Sequence, residues 1–182
     1  MRKILVAGFL ISVVAWYWKS FNLMTSLVNS VSQAFSNIDV ELKRRFDLID
    51  NLIAAVKGYL QHEKDVLLKV TELRAKATQM KSATDVASIQ QGTSDIIRNL
   101  VAVAEAYPTL KSDKHFLALS SELVETENRI AAARRTYNQA VTLYQTTRQI
   151  FPNSLISWAH QFGDKQLFDA EDAVSEAPKV TL

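Results

Sequence analysis

The sequence predicts an all-α protein in which an N-terminal transmembrane helix is followed by an antiparallel bundle of two long and two shorter helices. Three observations lead there. Only 4 glycines and 3 prolines punctuate 182 residues, so little interrupts helix propagation. Apolar side chains recur in alternating steps of three and four along much of the chain, the spacing that gathers them on one helical face. An uncharged run, residues 4–18, lies between Arg2-Lys3 and Lys19, as a membrane anchor requires.

The anchor is taken as residues 1–20, with Ile4, Leu5, Val6, Phe9, Leu10, Ile11, Val13 and Val14 as its apolar wall. At 1.5 Å per residue the run covers only about 22 Å of a hydrocarbon core roughly 30 Å thick. Snorkelling by Arg2, Lys3 and Lys19, with Trp16, Tyr17 and Trp18 at headgroup level, lengthens the effective span. The rival reading is a cleavable signal peptide ending at Val13-Val14-Ala15. Against it, Trp-Tyr-Trp and a breaker-free helical sequence follow directly, so the anchor is read as uncleaved. Two basic residues precede the run and one follows it closely, which places the N-terminus in the cytoplasm and the body outside.

Past the anchor, residues 21–152 read as the bundle. The first helix carries a seam at Met24, Val28, Val31, Phe35, Ile38 and Leu42, resuming at Ile49, Leu52 and Val56, and breaks near residues 58–62. A second helix over residues 63–80 has Val66, Leu67, Val70, Leu73 and Ala77 on one face. Residues 81–85, Lys-Ser-Ala-Thr-Asp, supply capping groups for a third helix that must end before Pro108, with Tyr107 closing it. Ser112-Asp113 caps a long last helix that runs to about residue 151 and stops at Pro152. Short connections make neighbours antiparallel.

Helix lengths carry a consequence. The first and last helices reach about 60 Å and the middle two about half that, so four helices coexist only in the half remote from the membrane. Residues 21–39 against 134–151 are then expected to form a bare pair. Two helices alone cannot bury Met24, Leu27, Val28, Val31, Phe35, Tyr137, Val141 and Tyr144, so these form an expected association surface and the protein an expected homo-oligomer. A competing geometry folds the short helices back along this stalk.

Charges intrude on the seams. Arg45 occupies an inward position of the first helix unless Phe46 takes that place and Arg45 snorkels past it. Glu127 and Arg134 interrupt the seam of the last helix, Phe116, Ser120, Leu123, Ile130, Tyr137, Val141, Tyr144, Arg148 and Phe151. An antiparallel pairing that sets Phe21 beside Phe151 places Arg45 opposite Glu127, and Arg134 near Asp39 and Glu41. These are read as structural ion pairs that fix register.

Beyond the bundle, Leu155, Trp158 and Phe162, with Phe151 just before, fall at steps of four, three and four and suggest an interfacial segment over residues 153–163. A bundle-capping turn that packs Trp158 against the stalk is the alternative. Residues 164–182 form an acidic, Ala-rich tail, either mobile or docked as an extended arm.

Composition excludes much. A net charge of +2 argues against a nucleic-acid partner, and zero cysteines exclude disulfides, thiolate metal sites and thiol nucleophiles. His62-Glu63 opens like a zinc-protease motif, but Val66 stands where the second histidine is required. No glutamate lies three residues before His62, His115 or His160, which removes the carboxylate-bridged di-iron pattern. No phosphate loop or nucleophile elbow appears. No enzyme activity, cofactor or small-molecule substrate is expected.

Residues 39–52, Asp-Val-Glu-Leu-Lys-Arg-Arg-Phe-Asp-Leu-Ile-Asp-Asn-Leu, resemble the LemA family of bacterial membrane-anchored helical proteins. So do Val56-Lys-Gly-Tyr59, His62-Glu63, Glu127-Asn-Arg-Ile-Ala131, Ala133-Arg-Arg-Thr-Tyr-Asn138, Phe151-Pro152 and Glu176-Ala-Pro-Lys-Val180. Phe46 and Asp50 depart from the family's usual His and Pro. The resemblance implies a LemA-like four-helix bundle on a single-pass anchor in the bacterial cytoplasmic membrane, and no established enzymatic activity. The family also includes members linked to magnetosome membranes and members whose genes lie beside membrane metalloproteases, which suggests a part in organising membrane or an adaptor role beside a membrane protein such as a metalloprotease. The bilayer, further copies of the chain and such a membrane protein are the expected partners.

Overall fold

The computed structural model describes residues 1–59 and 63–168. Among the described residues every regular element is helical, as the sequence predicts. α1, Arg2–Val56, is one unbroken helix of 55 residues, about 82 Å long. Anchor and first bundle helix are therefore a single rod. Its first third is exposed and holds an 18-residue stretch apolar enough to cross a membrane, while from Met24 onward one face is buried at Val31, Ile38, Leu42, Ile49, Leu52 and Val56.

A single 3-10 turn, Lys57–Tyr59, follows α1; the rest of the expected break, with His62, lies outside the described residues. α2, Glu63–Gln79, returns along α1, where Arg74 donates to Asp50 at 2.8 Å and its guanidinium lies 5.6 Å from the centre of the Phe46 ring. α3, Ala83–Ala106, climbs again and packs closely on α2. A Cβ at Gly92 would stand 2.7 Å from Leu73 Cδ2, so this glycine sets the approach of the two helices.

α3 begins with a reciprocal cap. Ser82 Oγ accepts from the Asp85 N–H at 3.2 Å, and the Asp85 carboxylate accepts from the N–H groups of Lys81 and Ser82. Those bonds, Lys81 first, hold the Asp85 carboxyl below its ordinary value. A depressed carboxyl stabilises the fold above its unfolded value of about 3.9, and that contribution is lost as pH falls through the folded value. Loss of the Ser82 cap in Ser82→Ala should cost about 1 kcal/mol. Asp85→Asn should flatten the acid limb of the stability profile, and urea titrations between pH 7 and pH 3 read both effects.

Pro108 ends α3 as expected, with Tyr107 in extended conformation, but it also opens a further turn, α4, Pro108–Lys111. Proline's fixed φ and missing N–H suit a first helical position. α5, Lys114–Gln149, starts at Asp113, whose carboxylate accepts from the Phe116 N–H at 3.0 Å. It runs antiparallel to α1 with a fixed register. Arg45 meets Glu127, and ten positions nearer the membrane on both helices the rings of Phe35 and Tyr137 meet edge-on at 5.7 Å.

The half near the membrane is not a bare helix pair, which corrects the sequence-based expectation. After α6, Asn153–Ala159, residues 162–168 turn back as an extended arm along α5. Met24, Val31, Tyr137, Val141 and Tyr144 are buried, and Leu27, Val28 and Phe35 are half-buried against the same core. The expected association surface is thus largely covered within one chain. Residues 169–182, most of the predicted acidic tail, lie outside the described residues.

Candidate functional site

Three features carry chemistry or contact: a buried polar layer, the arm, and the base of the bundle where it meets the anchor. The polar layer forms because α1 delivers Arg45 inward beside Phe46. Both are buried, at 3% and 1% exposure, so neither displaces the other. Arg45 Nη1 donates to the Glu127 carboxylate and Nη2 to Ser94 Oγ at 2.9 Å, joining α1, α5 and α3. Burial lowers the guanidinium's proton affinity and Glu127 partly restores it, which leaves the group charged.

Arg134 does not take up the expected place against Asp39 and Glu41. It donates to Gln90 Oε1 at 3.1 Å and lies 4.9 Å from the centre of the Phe168 ring. Asp39 pairs along its own helix with Lys43 at 2.7 Å, and Glu41 keeps a buried carboxylate oxygen without a hydrogen bond. The arm explains the difference. Phe168 fills the space above Arg134, a contact no count of α1 and α5 residues anticipates.

The arm is held by a ladder of α5 side chains reading main-chain atoms. Tyr144 donates to the Gly163 carbonyl at 2.7 Å, Gln145 to Lys165, Tyr137 to Gln166, and Arg148 to Phe162 at 2.8 Å. Asn138 makes a reciprocal pair with Phe168, donating to its carbonyl at 3.0 Å and accepting from its N–H at 2.9 Å. Arg148 also bonds Asp164. Burial raises both phenols above their ordinary values, so they remain protonated donors.

At the base, α6 is locked to α1 beside the aromatic end of the anchor. His160 Nε2 lies 2.8 Å from Tyr17 Oη, and its ring is 4.8 Å from that of Phe21. Ile156 and Ser157 face inward, while Trp158 is 84% exposed and Phe151 75%. Trp158 therefore does not pack on the stalk. Leu155 is exposed with it, but Phe162 is not: the helix ends at Ala159, Gln161 adopts a left-handed φ of 54°, and Phe162 turns toward Phe21. Phe151, expected on the inward seam of α5, also lies outside. Among the described residues no three His, Cys, Asp or Glu side chains gather as a metal site would require.

Comparison with known proteins agrees with the sequence resemblance. The LemA family profile matches residues 34–182. Protein LemA of Metamycoplasma hominis is 26% identical over 145 residues, covering 79% of this chain and 66% of that protein. Magnetosome protein MamQ 2 of Paramagnetospirillum magneticum is 20% identical over 197 residues, covering 94% of this chain and 72% of its own length. Magnetosome protein MamQ of Magnetospirillum gryphiswaldense is 19% identical over a similar extent. The chain thus spans about two thirds of the length of these relatives, and none of their names is that of an enzyme. With an exposed apolar head on α1, an antiparallel bundle behind it and a profile match over most of the sequence, the chain is a membrane-associated helical protein and belongs to the LemA family.

Proposed function

We propose that this protein is a non-enzymatic, single-pass scaffold of the bacterial cytoplasmic membrane. Its bundle stands outside the cytoplasm, and its copies assemble to organise or remodel a membrane patch. The observation that carries this reading is the continuity of α1, which joins an exposed apolar segment to a packed bundle with no break. A rod of that kind transmits the position of the bundle to the bilayer. Relatives named as magnetosome proteins support work at a membrane.

With the stalk seam covered by the arm, assembly draws on the exposed anchor wall and on the base around Ile150 and Phe151. Purified full-length protein should form a defined homo-oligomer in mild detergent by light scattering, and should change vesicle shape when reconstituted alone. A lone protomer that leaves vesicles unaltered would instead favour an adaptor for another membrane protein. That second reading draws on Leu117 and Val124, exposed two turns apart on one face of the distal half of α5.

A further inference from the structure

We infer that α6 is a lipid-embedded foot, inserted at the headgroup and acyl boundary of the leaflet nearest the bundle. The inference deepens the membrane-anchored reading and rests on it. Its first support is exposure. Trp158 and Phe151 stand 84% and 75% exposed, with Leu155 and Ile150 each more than half exposed beside them. Large apolar side chains grouped in this way mark a contact surface rather than a solvated one.

The second support is depth. The hydrogen bond between His160 and Tyr17 and the ring contact with Phe21 fasten α6 to the end of the apolar segment of α1. Trp158 then shares its level with Trp18, itself 68% exposed. When residues 4–18 lie in hydrocarbon, that level is the interface, where an indole is most stable. The third support is charge. Residues 149–163 contain no Asp, Glu, Lys or Arg, so insertion meets no desolvation of an ion and gains nothing from anionic lipid. Because Ile156 and Ser157 are already buried against the body, α6 enters the interface preformed, at no cost in ordering.

The three tryptophans allow a direct test on the full chain in phosphatidylcholine nanodiscs made with lipid brominated high on the acyl chain. Trp16→Phe with Trp18→Phe leaves Trp158 as the reporter, and Trp16→Phe with Trp158→Phe leaves Trp18. Far-UV circular dichroism verifies that each variant stays helical. Strong quenching of both reporters is expected, with Trp158 unchanged when phosphatidylglycerol replaces part of the lipid. Quenching of Trp18 without Trp158 overturns the inference and leaves the anchor standing. Loss of both overturns the anchored reading itself. A blue-shifted but unquenched Trp158 shows protein in place of lipid over α6, and quenching that rises with phosphatidylglycerol shows electrostatic recruitment; each also overturns it.

Discussion

Glu127→Ala should lower stability by on the order of 3 kcal/mol, whereas Arg45→Met should leave it within about 1 kcal/mol of the parent. The asymmetry follows from where the two ends of the pair lie. Arg45 is 3% exposed and Glu127 about half exposed. Removing the carboxylate strands a buried guanidinium that retains only Ser94 as an acceptor, with its Nε already lacking one. The loss sits at the lower end of the usual range of about 3 to 5 kcal/mol because water reaches the Glu127 side of the seam. Removing the guanidinium instead leaves a carboxylate that water can solvate, and methionine fills the vacated volume. Urea titration of the full chain in detergent, read by circular dichroism, separates the outcomes. Equal losses for both variants would show that the pair supplies net stability and not register alone.

The pair was legible because it depends on quantities that a sequence displays: helix length, helical period and antiparallel order. Met24, Val31, Ile38, Leu42, Ile130, Tyr137 and Val141 follow from the same period, and all are buried. The sequence left the tail open between a mobile and a docked arm for a physical reason. Gly163, Lys165 and Gln166 are bound through their carbonyl oxygens, which every residue has, so no side-chain pattern announces the docking. Its one recognisable anchor, Phe168, lies in a stretch with acidic and basic neighbours that reads as a tail. Leaving it open led to two linked errors, the bare helix pair and the ion pairing of Arg134 with Asp39 and Glu41. The end of α6 was equally hidden. Helical spacing carries Phe162 onto the outer face with Trp158 only if the helix continues, but α6 ends at Ala159 and the left-handed Gln161 turns the chain just before Phe162.

Phe168→Ala should release the arm while the bundle stays folded. The ring is 4% exposed, meets Tyr137 edge-on at 5.1 Å and lies over Arg134, so its deletion removes about 3 to 5 kcal/mol of local packing. An arm fixed mainly by five hydrogen-bonding α5 side chains cannot absorb that loss, and it opens without unfolding α1 or α5, whose contacts lie on their own seam. Amide exchange at position 168, where the N–H is bonded to Asn138, should accelerate about a hundredfold or more, since each 1.4 kcal/mol is a factor of ten. Asn138→Ala should do the same to a smaller degree, as it removes two hydrogen bonds and no ring. Exchange within the distal half, around Leu52 and Leu100, should not change. Release also bares the flank of Tyr137 that the arm covers, so light scattering of Phe168→Ala should report larger species than the parent at equal concentration. A variant whose arm amides exchange freely and whose mass is unaltered would show that this flank is no association surface even when uncovered, and that assembly must run through the anchor or the base.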